Sequence, residues 1–114
     1  MNAASRRAYN KVAERSGGVC EGCGKLPATN MHHRLYRGRG GKDEVVNLLH
    51  LCGMGNVNGC HGRAHTGEGE HLGWSCPTSV DPSDQPANKP TNYRGRVVFL
   101  LPDGRIEHVI DPVF

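Results

Sequence analysis

Two sets of metal-type side chains fall between Cys20 and His65. The first is Cys20-x2-Cys23 followed by Cys52-x7-Cys60. Four thiolates fill the tetrahedral shell of a structural zinc ion and leave no position for water, so this set would be scaffold. The second is His32-His33, Asn47, His61 and His65. Imidazoles bind divalent cations and also exchange protons near neutrality, so this set suits hydrolytic chemistry. His61 and His65 stand four residues apart, on one face of a helix, and can share one metal.

The second cysteine pair departs from the usual short spacing. Gly53, Gly55, Asn56, Asn58 and Gly59 would let the chain bulge out and return between Cys52 and Cys60. The cysteine count is odd, and Cys76 stands as an alternative fourth ligand. Two other readings stay open at this point. The cysteines can be unrelated free thiols, or His61 and His65 can complete a zinc site with two cysteines in a treble-clef-like module.

These residues need elements to position them. Residues 3–15 favour a helix with Ala4, Ala8 and Val12 on one stripe, ended by Ser16-Gly17-Gly18. Cys20–Cys23 is a tight knuckle whose glycines free backbone amides near the thiolates. Met31–Tyr36 and Leu48–Cys52 read as short strands joined by a basic loop, 37–42. A short helix carries His61 to His65 and stops near Gly67. Adjacent strand residues point to opposite sides, so His32 and His33 can do different jobs. Ser75–Thr91, rich in Pro, Ser, Asp and Asn, is an irregular connection. Arg96–Leu101 and Arg105–Ile110 flank Pro102-Asp103-Gly104, a hairpin signal over about 96–110.

With 36% hydrophobic and 5% aromatic residues, the chain of 114 buries only a small core, and a metal staple would help it fold as one domain over 1–114. No apolar run spans a membrane, and the polar start has no signal-peptide pattern. The expectation is a cytoplasmic protein with no membrane partner, whose paired cysteines are ligands rather than disulfides. Residues 1–42 hold nine Lys/Arg against two Asp/Glu, whereas residues 43–80 hold one against four. Positive charge gathered around the His pair fits either a phosphate-binding surface or a solvated basic face.

Met-His-His-Arg at 31–34, Asn-Leu-Leu-His-Leu-Cys at 47–52 and Cys-His-Gly-Arg-Ala-His at 60–65 together resemble the HNH endonuclease family over roughly residues 20–67. His-His-Arg-Leu-Tyr-Arg-Gly-Arg-Gly-Gly at 32–41, with Gly73-Trp74 and Leu-Pro-Asp-Gly at 101–104, is similar to the small HNH nucleases of bacteriophages. The resemblance implies a small, zinc-stapled α+β fold. Its core would be a ββα-metal (His-Me) finger, with an N-terminal helix and a C-terminal β-hairpin. It implies that His33 is the general base and that the Asn47 amide ties the two strands together and so fixes the base. It implies His32 and His61 as ligands of a catalytic divalent ion, with His65 a third imidazole as in colicin-type nucleases. Many relatives carry Asp at the position of His32 and use Mg or Mn. The resemblance also suggests work beside a phage terminase during genome packaging, in the host cytoplasm if phage-encoded, or in a mobile element.

Phosphodiester hydrolysis asks for the same parts: a base for the attacking water, a cation on the phosphate, and help for the departing 3′ oxygen. Three imidazoles favour Zn, Ni, Co or Mn over Mg, so the expected metals beside the structural Zn are Mn, Ni or Zn, with Mg poor. Arg34, Arg37, Arg39 and Lys42 follow the His pair, and Arg63 lies between the two helix histidines; all five are expected on the phosphates of double-stranded DNA. His50 is expected to be structural and Trp74 to pack under the core, while His71 and His108 have no assigned role. The rival reading from another class is a non-catalytic zinc-binding adaptor for DNA or protein. A redox role for Cys20-x2-Cys23 fits poorly, because no thioredoxin-like βαβ pattern surrounds it.

Overall fold

The structure is a computed structural model that describes residues 1–55, 57–77 and 82–109. Helix α1 spans Ala3–Ser16. The Asn2 side chain starts it by accepting the Ser5 amide at 2.8 Å, a cap worth about 1 kcal/mol. Gly17 ends it at φ 63°, donating to the carbonyls of Ala13 and Glu14. The buried stripe is Ser5, Ala8, Val12 and Ser16. Ala4 faces solvent, against expectation, because Ser5 turns inward to donate to Asp43.

Strands β1 (Asn30–His33) and β2 (Leu48–Leu51) pair antiparallel, with His32 opposite Leu49 and His33 opposite Leu48. The first strand stops three residues short of the expected Tyr36. After His33 the Arg34 side chain plunges into the protein and the chain leaves the ladder for a single 3-10 turn at Arg37–Arg39. A second 3-10 turn, Val45–Asn47, leads back into β2. Helix α2 covers Gly59–Ala64, with His65 as its cap rather than its last turn. Where the helix carrying His61 to His65 is expected to stop, near Gly67, a further short helix, α3 (Gly67–His71), follows.

The excursion between Cys52 and Cys60 closes on itself at two glycines. Gly53 (φ 116°) and Gly59 (φ 65°) take left-handed conformations, and a Cβ on Gly59 would fall 2.6 Å from the Gly53 Cα. No side chain fits in this neck, so its closure depends on glycine at both positions. Asn56, within the excursion, lies outside the described residues.

A second sheet is antiparallel in the order β3 (Thr91–Tyr93), β4 (Arg96–Leu100), β5 (Ile106–His108). The hairpin at Pro102-Asp103-Gly104 is present, with the Leu101 amide donating to the Arg105 carbonyl at 3.0 Å. Ile110, its expected end, and residues 78–81 of the expected irregular connection lie outside the described residues. Strand β3 was not expected, since Thr91 reads as the end of the connection. The β3–β4 turn is anchored by Arg94, whose side chain donates to the carbonyls of Ser16, Val19 and Cys20.

The main core packs Leu49 and Leu51 of β2, Trp74, Tyr93, Val98 and Leu100 against the cysteines. A smaller cluster joins Ala8 and Val12 of α1 to Leu48. Among the described residues no helix is long and apolar enough to cross a membrane. The result is a small α+β architecture with one N-terminal helix, a β-sheet near the C-terminus, and a cysteine cluster able to hold a metal such as zinc.

Candidate metal centres

The glycine neck brings Cys60, on α2, back to Cys52, at the end of β2. Their sulfurs and those of Cys20 and Cys23 lie within 4.8 Å of one another. The Cys23 and Cys52 sulfurs are 4.0 Å apart, close to the ~3.8 Å edge of a tetrahedron with Zn–S bonds of about 2.3 Å. Backbone amides of Gly22 and Cys23 point at the Cys20 sulfur, and that of Cys60 at the Cys52 sulfur, at 3.3–3.4 Å. A Cβ on Gly22 would meet the Trp74 ring at 2.9 Å and the Cys60 sulfur at 3.1 Å, so the knuckle admits no larger residue there. Cys76 is buried elsewhere, its amide bonded to the Arg34 carbonyl. The cluster therefore has four sulfurs without it.

The thiols do not share one acidity. Burial pushes the Cys52 and Cys60 thiols up, and neighbouring thiolates add to this. At Cys23 burial also acts upward, but amides of Lys25 and Leu26 and the neighbouring thiols win and hold it at about 7. Four thiolates this close repel one another, and a dication is the charge that would let all four ionise. Both the donor set and the spacing fit zinc.

Beta strand β1 and helix α2 build the second cluster. The rings of His32, His61 and His65 form a nearly equilateral triangle, with centroids 5.1, 5.3 and 4.9 Å apart. Each offers a ring nitrogen within 4.8 Å of the others. The His32 Nε2 lies 2.6 Å from the Trp74 carbonyl oxygen, so it donates there and Nδ1 remains able to ligate. The His61 and His65 Nε2 atoms face each other at 3.2 Å, near the ~3.3 Å expected of two nitrogens on one cation with bonds of about 2.0–2.1 Å. The other nitrogen of His65 bonds the Tyr36 hydroxyl at 2.9 Å, and the two rings stack. Among the described residues His61 Nδ1 is buried without a hydrogen-bond partner.

Burial holds all three imidazoles below their ordinary pKa. For His32 burial, with the neighbouring imidazoles adding to it, pulls the value down to about 3. For His61 the causes are burial and then His65, and for His65 burial. Neutral imidazole is the form that ligates. These observations fit a divalent cation held by three nitrogens.

The triad opens into a cavity of about 280 Å³ that His33, Tyr36 and Arg37 also border. His32 is buried and His33 half-buried, as opposite sides of a strand require. Yet both reach the same cavity, because β1 ends there. His33 Nε2 lies 2.7 Å from a carboxylate oxygen of Asp43. The same oxygen accepts from Arg37 at 2.9 Å, and the other accepts from the Ser5 hydroxyl of α1 at 2.8 Å. Hydrogen bonds from His33 and Ser5, with the Arg37 charge, hold the Asp43 carboxyl below its ordinary value.

The Asn47 side chain, expected to tie the two strands, bonds the ends of the loop between them. Its side-chain oxygen accepts the Leu35 amide at 2.8 Å, and its NH2 donates to the carbonyls of Leu35 and Lys42 at 3.0 Å. It closes the 35–42 loop at both ends and is not among the residues that line the cavity, so it is a positioning residue.

The five expected phosphate-binding cations separate. Arg34 is a correction: it is fully buried. Its Nε donates to Gly73, Nη1 to Val46 and Pro86, and Nη2 to Lys89, at 2.7–2.9 Å. Burial lowers its pKa to about 10, which leaves it charged at neutral pH. Its fork fastens irregular segments and cannot reach a phosphate. Arg63 pairs with Glu68 and lies over the Trp74 ring, beside the cysteine cluster rather than the histidine cavity. Arg37, Arg39 and Lys42 remain exposed around the loop. Arg37 borders the cavity, and Arg39 lies over the Tyr36 ring.

Three residues escaped the sequence reading. Asp43 and Tyr36 contact His33 and His65, and only the fold reveals this. Glu21, inside the first knuckle, is a fully buried carboxylate clamped by Arg15 at 2.6 and 2.9 Å. It also accepts the His50 amide at 2.8 Å. His50 itself bonds the Ser16 hydroxyl, a structural place as expected. His71 and His108 are exposed. No family model matches the chain, and neither a curated protein nor a solved structure matches it significantly.

Proposed function

We propose that this chain is a metal-dependent endonuclease of the HNH type that hydrolyses phosphodiester bonds of double-stranded DNA. In this reading β1, β2 and α2 form a ββα-metal finger, stapled by zinc on Cys20, Cys23, Cys52 and Cys60. The observation that carries it is the shared cavity: three neutral imidazoles able to hold one cation, with a fourth imidazole, His33, on the same lining. A scaffold metal has no use for His33.

A divalent cation on His32, His61 and His65 would supply Lewis-acid stabilisation of the phosphate and of the leaving oxygen. His33 takes a proton from the attacking water as its oxygen bonds to phosphorus. The P–O3′ bond breaks, the 3′ oxygen is protonated from solvent, and His33 returns its proton to solvent. Asn47 keeps the 35–42 loop closed so that His33, Arg37 and Lys42 hold fixed places. Arg37, Arg39 and Lys42 would position the DNA backbone and carry little sequence information.

The test is conversion of supercoiled plasmid to nicked or linear form with Mn, Ni, Mg or EDTA, comparing wild type with folded His33→Ala. Cutting with Mn and Ni that EDTA and His33→Ala abolish is the expected result. A wild type that binds DNA but cuts with no metal would leave a zinc-binding adaptor instead.

A further inference from the structure

We propose that Asp43 is the positioning residue of His33, holding its ring so that Nε2 carries the proton and Nδ1 is the nitrogen offered to the cavity. This rests on the reading of His33 as the proton acceptor.

One ring nitrogen has two neighbours. His33 Nε2 is 2.7 Å from the Asp43 carboxylate and 3.3 Å from Arg37 Nε, itself a donor. Nε2 cannot both donate to Asp43 and accept from Arg37. The carboxylate contact is the shorter, and Arg37 directs its Nη2 onto the same carboxylate at 2.9 Å. A carboxylate that already accepts from a guanidinium and from Ser5 is an acceptor toward the ring as well. The neutral His33 ring therefore carries its proton on Nε2. Its lone pair sits on Nδ1, which has no hydrogen bond among the described residues.

The carboxylate is itself held. Ser5 fixes one oxygen from α1, and Arg37 fixes the other from the 3-10 turn. Arg37 is steadied in turn by the Tyr9 hydroxyl at 3.3 Å. The Asp43 backbone follows Lys42, whose carbonyl Asn47 binds. The N-terminal helix thus reaches the cavity through Ser5 and Tyr9. A free imidazole would rotate and exchange tautomers, offering the wrong nitrogen part of the time.

The experiment uses the full zinc-loaded chain, labelled with 15N-histidine, and compares wild type with Asp43→Asn, Asp43→Glu and Ser5→Ala. Imidazole nitrogen shifts report the His33 tautomer without any turnover. Plasmid cleavage at saturating Mn gives kcat and KM. Wild-type His33 is expected as the Nε2–H tautomer. Asp43→Asn should mix or reverse it and lower kcat about 100-fold or more, with KM and Mn affinity within about threefold. Asp43→Glu should restore part of the rate, and Ser5→Ala, a milder change that spares the fold, should cost less than about tenfold. Wild-type cleavage with an unchanged tautomer and rate in Asp43→Asn overturns the positioning role alone. No wild-type cleavage with any metal overturns the nuclease reading and the proposal with it.

Discussion

His32 Nε2 lies 2.6 Å from the Trp74 carbonyl oxygen, and the Trp74 ring lies against Gly22 of the first cysteine knuckle. One residue therefore touches both metal-type clusters. Its backbone fixes which nitrogen of His32 can ligate, and its ring shares the core with Cys20, Cys52 and Cys60. The two clusters also share covalent neighbours, since Cys60 and His61 are consecutive on α2. The histidine triad and the cysteine cluster are thus built on shared residues.

If each cluster holds a metal, losing the one on the cysteines should disturb the fold more, because Cys20, Cys52 and Cys60 are core residues whereas His65 is exposed. Cys23→Ser, or stripping zinc with a strong chelator, should unfold the chain or lower its melting temperature sharply, and the histidine triad should lose metal with it. His65→Ala should leave the melting temperature of the zinc-loaded protein within a few degrees, because His65 is exposed at the α2 cap. Cobalt substitution followed by absorption separates the two, as only thiolate ligands give intense charge-transfer bands. A zinc-stripped protein that still binds one cobalt through histidines with native affinity would break this hierarchy.

Arg34 gives a second prediction. Its guanidinium satisfies four carbonyls from segments that form no ladder. Arg34→Met should cost about 3 kcal/mol or more, from carbonyls left dry in the interior. The folded fraction, assayed in the cold, should bind DNA with the wild-type salt slope. Arg39→Ala should do the reverse: stability nearly unchanged, and a slope shallower by about one. A stable Arg34→Met with a reduced slope would mean the guanidinium reaches phosphate after all.

The difference between Arg34 and Arg37 marks where the sequence stops being legible. Both follow the His pair in the same basic run, and charge alone puts both outside. Strand alternation and the end of the β1 ladder decide which turns inward, and three of the four carbonyls that need that donor, those of Gly73, Pro86 and Lys89, lie far along the chain. Local signals served well where structure is local. Asn2 and Gly17 bound α1, the glycines at 53 and 59 close the cysteine excursion, and Pro102-Asp103-Gly104 turns the hairpin. The spacing of His61 and His65 likewise foresaw a shared face, while His32 joined them only through the resemblance to the HNH family. Asp43 could not be foreseen, since a carboxylate ten residues from His33 in a basic loop reads as a solvated charge. Strand β3 escaped because its three residues follow a Pro-rich stretch and gain their ladder only from β4.

That unexpected strand supplies a pH test of how the second sheet is docked. Tyr93 of β3 is buried, with its hydroxyl 3.5 Å from the Arg15 carbonyl. Burial, and then the nearby Glu21 carboxylate, push its phenol well above the ordinary 10.0. A group with a raised folded-state pKa contributes stability that is full below its unfolded pKa and is lost as pH climbs toward the folded value. Above pH 10 the unfolded chain sheds the Tyr93 proton while the folded chain keeps it, so stability should fall by about 1.4 kcal/mol per pH unit from this residue. Urea midpoints of the zinc-loaded protein between pH 9 and 11.5 give the slope. Tyr93→Phe should flatten it by about that amount. The phenolate absorption that distinguishes wild type from Tyr93→Phe should appear only as the protein unfolds. If that absorption instead rises near pH 10 with the fold intact, Tyr93 is open to solvent, and β3 does not seal against Arg15 and Glu21 as the structure has it.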